Sequence, residues 1–525
     1  MTMGLPPDSN LPPARRRLAL AAIVALAVVV RLPLLHGSFI AVDDYKQIVR
    51  NPVITELSYE NLKQVVFTNF MQRGHAPMYV SFMLNWAATP RSYAGFAAVN
   101  LAFLPLIVAA FYGFSGLFVR GHVWRLAATA LFSVHAVTAD VVAWMSARCH
   151  LFGVTFLFLA LVAWKAYLDA PCPRRKAAWY AASLLAAGFA VWNKNLFCTV
   201  GLLIVAYDAY RRRRLDLACV LDKLPFLGLL AFAIAALQAN PYLQDVSTPA
   251  MGGSIAATLL NDASLLVEYL RYLLLPGPTY IWIDVYPVAG LLDVSRGSSL
   301  FAMLLTPLAN IGVLAAAAGF LLWLWRRARL EEPLVAAACG AIALAPVMNI
   351  PPRWVEFAFR YDLVPAAFFC VALAASAAHI SARRGRRAGV AVAIILALLT
   401  AWHAGQTYAQ SRAWRTPLTL NEACIRSFPD ARPCLQQAAE AYAGQGNPRA
   451  AIRLYERIDR IVTERGALRR ESSAYRLGQL YTRIGDPIRA CHYFERALLR
   501  DRLTPASRDE ARRALASETC DDALP

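Results

Sequence analysis

Residues 18–54 read LALAAIVALAVVVRLPLLHGSFIAVDDYKQIVRNPVI, a long apolar run that leads into a polar loop with two adjacent aspartates. The run is long enough to cross a bilayer as one helix. Carboxylates are costly near hydrocarbon, so Asp43 and Asp44, placed where the chain leaves the bilayer, indicate a functional site. One carboxylate of such a pair can act as a base while the other orients a substrate. The alternative is that the pair caps the next helix or lies in an ordinary polar loop.

The composition of the chain is that of a membrane protein. Of its 525 residues, 58% are hydrophobic and 17% are charged, and the mean hydropathy is +0.43. Soluble domains carry roughly 25% charged residues. Apolar windows of bilayer-spanning length recur from residue 18 to residue 404 and then stop. The sequence therefore predicts an all-α protein with an N-terminal segment (1–17), a polytopic helical membrane domain (18–405) and a soluble helical domain (406–525).

The net charge of +19 is concentrated in basic clusters that adjoin the apolar segments. This distribution follows the positive-inside rule and does not indicate a nucleic-acid-binding patch. It predicts a cytoplasmic N-terminus, about 11 transmembrane helices, and a C-terminal domain on the same extracytoplasmic side as the aspartate pair. The predicted crossings lie at about 18–35, 94–118, 124–140, 150–168, 178–192, 196–210, 223–239, 300–325, 334–350, 361–380 and 388–404.

Two extracytoplasmic loops are too long to be simple connections. They run from about 36 to 93 and from about 240 to 300, and they mix apolar, aromatic and polar residues. Such stretches are typical of amphipathic helices that lie at the membrane surface, with Trp and Tyr at headgroup depth. We expect these loops to help build a site on this face; the alternative is ordinary interfacial packing.

The C-terminal domain carries an internal repeat. The repeat lies in residues 434–458, CLQQAAEAYAGQGNPRAAIRLYERI, and residues 474–498, AYRLGQLYTRIGDPIRACHYFERAL, which align at an offset of 39 residues when Tyr442 is placed on Tyr481. The small, aromatic and Gly positions then coincide in the order of a tetratricopeptide repeat. Two clear repeats fall short of the three usually needed for a stable stack, so residues 414–428 are predicted to add a helix pair or cap. Such an array either binds proteins or peptides in a concave groove or braces the membrane domain.

Several motifs along the chain follow an order typical of one enzyme superfamily. They are VDDYKQIVRNP (42–52), RGHAPMYVSFMLNW (73–86), YAGFAAVNLAF (93–103), SVHAVTADVVAWMSARCHLFG (133–153), NKN (193–195) and FRYDLVP (359–365). With the topology and the repeats, the chain resembles the GT-C glycosyltransferases, especially the tetratricopeptide-containing protein O-mannosyltransferases and their bacterial relatives. It departs from that pattern because Asp140 replaces Glu and Ala136 replaces Pro. The acids expected beside Lys194 and Arg360 are also absent.

The resemblance implies a polyprenyl-phosphate-linked sugar donor, such as a mannose donor, and an acceptor hydroxyl, such as a protein Ser or Thr. The chemistry needs a base for the acceptor and cations for the phosphate leaving group. Asp43 is the expected base, and Asp44 orients it or the acceptor. The cations expected to bind the donor phosphate are Arg148, Lys194 and Arg360. Further substrate-site candidates are Arg73, His75, Asp140, Glu268, Arg271 and Tyr361.

A non-enzymatic function is the main alternative. The chain would then be a membrane scaffold that recruits envelope proteins through its repeats, and the missing family acids favour it. We expect membrane lipid, the lipid-linked sugar and a protein acceptor as partners, with no nucleic acid and no metal cofactor. A transporter is disfavoured because segments such as LFGVTFLFLALVAW (151–164) carry no charge at mid-span.

The cysteines and the overall composition bear on location. Cysteines in apolar spans are expected to pack as small hydrophobic residues. Cys424, Cys434, Cys491 and Cys520 lie in the tail, where disulfides can form on the extracytoplasmic side, and Cys424 with Cys434 is one such pairing. The richness in Ala, Arg and Leu favours a bacterial inner membrane with periplasmic repeats.

Overall fold

The computed structural model describes residues 11–40, 43–68, 74–211, 216–238, 254–277, 300–328, 330–349, 357–465, 473–500, 503–516 and 520. The ordered elements over these ranges are helices, so the prediction of an all-α membrane protein is confirmed. The chain forms two compact units. The membrane unit comprises residues 1–281 and 307–415, and the tail unit comprises residues 282–306 and 416–525.

The helices of the membrane unit follow the apolar pattern of the sequence. In chain order they are α1 (Pro13–Val29), α2 (Tyr59–Lys63), α3 (Ala76–Ala88), α4 (Tyr93–Ala102), α5 (Leu104–Ser115), α6 (His122–Ser133), α7 (Thr138–Ala143), α8 (Arg148–Asp169), α9 (Pro173–Asn193), α10 (Val200–Tyr210), α11 (Leu217–Leu221), α12 (Leu224–Gln238), α13 (Ile255–Leu274), α14 (Leu300–Ala328), α15 (Glu331–Leu344) and α16 (Leu363–Ala413). Short helical turns lie at Leu32–His36, Tyr45–Val49, Pro52–Ile54, Gln64–Thr68, Met145–Ala147, Asn195–Thr199, Ala345–Val347 and Phe359–Asp362.

The predicted number of about 11 crossings is not reproduced by helix length and composition. Within the described ranges, five segments are long and apolar enough to cross a membrane, and two shorter apolar helices accompany them. The five are Pro13–His36, Tyr93–Ser115, Met145–Asp169, Leu217–Ala236 and Phe359–Ala413. The predicted span 124–140 is not one helix, because α6 ends at Ser133 and the chain turns before α7. A hydropathy window does not register such a turn.

Helix α16 contains two of the predicted crossings. Gly385 interrupts it with a φ of 79°, a left-handed value that glycine adopts without steric cost. The predicted boundary of the membrane domain near residue 405 lies inside this helix, which continues to Ala413. Beyond it, the Arg415 carbonyl accepts a hydrogen bond of 2.7 Å from the Ser38 N–H. The last helix of the membrane unit thus ends beside the loop that leads to Asp43.

Close packing brings the junctions between helices together. Helix α8 packs along α9 and also contacts α5, and α16 packs against α6 and α15. A Cβ atom at Gly153 would lie 2.0 Å from Cε2 of Phe197, so glycine lets the turn after α9 press against α8. Phe111 stacks on Phe132 with ring centroids 4.3 Å apart in the core beneath. This packing fixes where Lys194, which immediately precedes the turn, meets α8.

The tail unit contains six helices in which each packs against the next: α17 (Pro417–Ser427), α18 (Arg432–Gly444), α19 (Pro448–Arg465), α20 (Ser473–Arg483), α21 (Pro487–Arg500) and α22 (Pro505–Leu515). The aligned repeats form equivalent turns. Gly446 and Gly485 have φ values of 77° and 76°, and the N–H groups that follow them bond to the carbonyls of Tyr442 and Tyr481. A Cβ at Gly478 would lie 2.7 Å from the Phe494 ring, so the small residue is required for helix contact.

Two disulfides link the tail. One joins Cys424 to Cys434, as predicted, and the other joins Cys491 to Cys520. The first connects α17 to α18, and α17 lies within the segment that was expected to supply a helix or cap. The helical repeat is therefore present in the structure, whereas its classification as a tetratricopeptide repeat and its binding of proteins stay predictions.

Candidate functional site

The side chain of Asp44 is buried and anchors the first loop. Its Oδ1 accepts hydrogen bonds from the backbone N–H and the hydroxyl of Ser146, at 2.9 and 2.6 Å, and its Oδ2 accepts one from the Ile40 N–H at 3.0 Å. Burial raises the pKa of Asp44 to about 6, and these hydrogen bonds oppose that rise. Asp44 thus ties the loop after α1 to the turn before α8 and leaves its neighbour Asp43 to face the site.

Arg148 lies beneath this anchor, at the start of α8, and is 1% exposed. Its Nε donates to Asn100 Oδ1 at 2.7 Å, and its Nη2 donates to Asn85 Oδ1 at 3.0 Å. Its Nη1 donates to Ser81 Oγ at 3.1 Å, and its Cζ lies 4.8 Å from the centre of the Phe82 ring. All three nitrogens of the guanidinium are therefore engaged by protein groups, which fits the interior of the fold better than contact with a phosphate.

Asp43 is half-buried and faces the cations of two distant segments. Burial raises the pKa of Asp43 above its ordinary value, and the positive charges of Lys194, Arg360 and Lys46 oppose that rise. Lys194 lies in the extended link between α9 and the next turn, and Arg360 lies in the turn before α16. Three junctions between helices thus bring one carboxylate within electrostatic range of these two cations.

His75 holds the segment that carries Lys194. Its Nδ1 donates to the carbonyl of Asn193 at 2.6 Å, which assigns the ring proton to that nitrogen. Burial and the charge of Lys194 lower the pKa of His75 to about 3, so the ring is neutral. A neutral His75 positions Lys194 without adding a further positive charge beside it.

Arg360 is surrounded by aromatic and acidic groups. Its Cζ lies 5.1 Å from the centre of the Trp144 ring and 5.6 Å from that of Tyr361, and the side chain is 7% exposed. The carboxylate of Asp140 interacts electrostatically with Arg360. Asp140 and Tyr361, both predicted as substrate-site residues, therefore lie near this cation. The acid expected next to Arg360 in the sequence is absent, and Asp140, from another segment, supplies a carboxyl group near Arg360 instead.

Two of the remaining predicted residues, Glu268 and Arg271, pair with each other in the described part of the chain. They lie on α13, with Arg271 Nε 2.8 Å from Glu268 Oε2. Arg271 is exposed and Glu268 is half-buried, and i,i+3 pairs are common on helix surfaces. Glu268 also lies within electrostatic range of Asp362, in the turn that carries Arg360. Arg73 lies outside the described residues.

The sequence analysis did not name four residues of this region as site residues: Trp144, Ser146, His150 and Asn193. Three of the four lie in the motif SVHAVTADVVAWMSARCHLFG, and the fourth precedes Lys194. Their positions within those motifs were the available signal, but residue type alone did not separate them from packing residues. Among the described residues, no group of three or more His, Cys, Asp or Glu side chains could hold a metal ion, and the need for a metal stays untested.

Among solved structures, the chain is similar to that described as ArnT from Cupriavidus metallidurans bound to undecaprenyl phosphate. The sequence identity is 13%, the TM-score is 0.39, and 80% of each chain is covered. At that TM-score the similarity assigns neither an activity nor a substrate. No protein-family model matches the sequence, and no curated protein matches it.

Proposed function

We propose that the chain is a membrane glycosyltransferase that moves a sugar from a polyprenyl-phosphate donor to an acceptor hydroxyl. The observation that carries the proposal is that Asp43 lies within electrostatic range of Lys194 and Arg360, which are far from it in the sequence. A base beside two cations suits a reaction in which a hydroxyl is deprotonated and a phosphate leaves. The order of motifs in the sequence supports the same reaction.

In this reaction Asp43 accepts the proton of the acceptor hydroxyl. The hydroxyl oxygen forms a bond to the anomeric carbon of the sugar, and the bond from that carbon to the phosphate oxygen breaks. The electron pair of the broken bond remains on the polyprenyl phosphate, whose charge Lys194 and Arg360 neutralise. Arg offers a planar fork of donors and Lys a point charge, so the two can bind different oxygens of one phosphate.

Asp44 and Arg148 act as positioning residues in this proposal. Asp44 fixes the backbone next to Asp43 through Ser146 and Ile40. Arg148 ties α3, α4 and α8 together beneath it, through Asn85 and Asn100. The sequence predicted that Arg148 binds the donor phosphate. We assign it a positioning role instead, because all three nitrogens of its guanidinium donate to protein groups.

The reaction is assigned to the extracytoplasmic face, with a protein Ser or Thr as acceptor and mannose as the first sugar to test. Disulfides persist in oxidising compartments, and the tail contains two. The membrane unit ends at Arg415, beside Ser38 and on the face that carries Asp43. The helical repeats of the tail favour a protein acceptor, because arrays of this kind bind other proteins.

The test compares glycans on envelope proteins in cells that lack the gene and carry either the wild-type or a variant copy. Asp43→Asn is expected to reduce sugar transfer at least about 100-fold, because the base is lost while the shape of the side chain is kept. Glu56→Gln, the same exchange at an exposed position of the same loop, should leave transfer unchanged. Transfer by Asp43→Asn at the wild-type rate would remove the catalytic assignment and favour the scaffold alternative.

A further inference from the structure

Four buried side chains around Lys194 and Arg360 carry polar atoms that have no hydrogen-bond partner in the described part of the chain. They are both carboxylate oxygens of Asp140, Nε1 of Trp144, Nδ1 of His150 and Oδ1 of Asn193. Each side chain is at most 5% exposed. Buried polar atoms in native proteins are nearly always paired, and leaving one unpaired is costly. A cluster of them indicates that a ligand supplies the missing partners.

The unpaired atoms surround the proposed phosphate site. Asp140 interacts electrostatically with Arg360, and the Trp144 ring lies 5.1 Å from the Arg360 guanidinium. His150 lies within electrostatic range of both Lys194 and Arg360. Asn193 immediately precedes Lys194 in the chain. Each of the four side chains therefore lies near Lys194, Arg360 or both.

The orientation of Asn193 is fixed by its other contacts. Its Nδ2 donates to the Phe189 carbonyl at 2.8 Å, so its Oδ1 is the atom that points away from the helix backbone without a partner. Burial raises the pKa of Asp140 to about 7, and the charge of Arg360 and the nearby backbone N–H of Val141 oppose that rise. The carboxyl group offers an acceptor oxygen in either protonation state, and neither oxygen completes a hydrogen bond. Both side chains thus present acceptors.

The chemistry of the unpaired atoms selects the class of ligand. Three of them are oxygen acceptors, from Asp140 and Asn193, and Trp144 Nε1 is a donor. An ionised phosphate has no proton to donate and cannot pair with these oxygens. Hydroxyl groups donate and accept, so a hydroxyl-rich group pairs with all of them. Such a group, attached to a phosphate, is a glycosyl phosphate.

We propose that Asp140, Trp144, His150 and Asn193 form a subsite for the hydroxyl groups of an uncharged hexose, next to the phosphate held by Lys194 and Arg360. The subsite rests on the proposed function in taking the ligand to be a glycosyl phosphate. A uronic acid is disfavoured because it would bring a second carboxyl group into the buried surroundings of Asp140, at a cost in desolvation and charge repulsion. The subsite therefore selects the sugar, whereas the two cations bind the phosphate common to all donors.

The test measures ligand affinity of the purified full-length protein in detergent. The ligands are polyprenyl-phosphate mannose, glucose and glucuronic acid, with polyprenyl methyl phosphate as a diester that lacks a sugar. The wild-type protein should bind at least one of the two uncharged hexose donors about 10-fold more tightly than the methyl diester. The glucuronic acid donor should bind no more tightly than the methyl diester.

Two variants remove one hydrogen-bonding group each. Asn193→Leu deletes an acceptor and Trp144→Phe deletes the donor, and each should weaken binding of the preferred donor about 10-fold. Binding of the methyl diester should not change, which also shows that the variant is folded. Trp179→Phe makes the same exchange at a tryptophan that is 44% exposed and should change neither affinity.

The outcomes separate the subsite from the proposed function. If both variants weaken the donor and the methyl diester equally, the side chains support the phosphate site and the sugar subsite is wrong. If the wild-type protein binds all four ligands equally, the subsite is wrong and the phosphate site stands. If it binds none of them, the proposed function fails.

Discussion

The surroundings of Arg148 and of Arg360 differ although both arginines are buried at the start of a helix. Arg148 donates to side chains of α3 and α4, and each of its nitrogens has a protein acceptor. Arg360 lies against the Trp144 ring and opposite Asp140, in a region where several buried polar atoms have no partner. Asn85 and Asn100 pair with Arg148, whereas polar atoms of Asp140 and Trp144, beside Arg360, have no hydrogen-bond partner in the described part of the chain. This difference between the neighbours, more than burial or charge, is the basis for proposing Arg148 as a positioning residue and Arg360 as a binding residue.

The difference also explains why the two arginines cannot be told apart in the sequence. Both follow an aromatic or small residue at a junction, Arg148 in the motif of residues 133–153 and Arg360 in that of residues 359–365. Their partners come from other segments: Asn85 and Asn100 for Arg148, and Asp140 for Arg360. Only the packing of those segments decides which side chains surround each guanidinium.

The largest effect is expected on the stability of the protein when the contacts of Arg148 are removed. Arg148→Met should lower the free energy of unfolding by about 3 kcal/mol, because it leaves the acceptors of Asn85, Asn100 and Ser81 buried and unpaired. The measurement is thermal unfolding in detergent, with Arg412→Met at an exposed position as the control. If Arg148→Met had wild-type stability but no longer bound the donor, Arg148 would be a phosphate-binding residue, as the sequence predicted.

Arg360→Gln should act on transfer more than on folding. We expect about a 100-fold lower rate of sugar transfer, since one of the charges that neutralises the leaving phosphate is lost. Arg360→Lys should restore part of the rate by restoring the charge without the planar fork. The unfolding temperature should fall less than that of Arg148→Met. A larger fall in unfolding temperature for Arg360→Gln than for Arg148→Met would contradict the positioning role of Arg148 and the binding role of Arg360.

The smallest effect is a shift in the pH dependence of transfer. Asp43 must be ionised to act as a base, so the rate should rise with pH through the pKa of Asp43, which burial holds above its ordinary value. Lys194 lowers that pKa, so Lys194→Met should raise it and move the acidic limb of the profile to higher pH. Lys63→Met, at an exposed position of the same loop, should leave the limb in place. A shift to lower pH would show that Asp43 is not the titrating base.

The fold could be predicted from the sequence to the extent that local pattern determines it. Apolar length and the 39-residue repeat placed the helices and the equivalent turns at Gly446 and Gly485, since both depend on neighbours along the chain. The predicted crossing at 124–140 is not one helix, because the turn between Ser133 and Thr138 interrupts an apolar run. That turn depends on contacts such as that of His135 Nε2 with the Leu273 carbonyl, 138 residues away.

The candidate site could be predicted only as a set of residue types. The sequence indicated Asp43, Lys194 and Arg360, because charged residues at the ends of apolar segments are costly unless they have a function. It gave no sign that Asp140 faces Arg360 or that Ser146 anchors Asp44. Those pairings depend on distances between segments about 100 residues or more apart.

By itself, the sequence determined that the chain enters a membrane, that it is helical throughout, and that a repeat follows the last apolar segment. Hydrophobic length and helical periodicity suffice for this, because each acts over one helix or one turn. Only the tertiary structure decided which buried polar atoms have a hydrogen-bond partner in the described part of the chain and which do not. Hydrogen bonding is short-ranged and directional, so it is fixed by how the helices pack and not by the order of residues along any one of them.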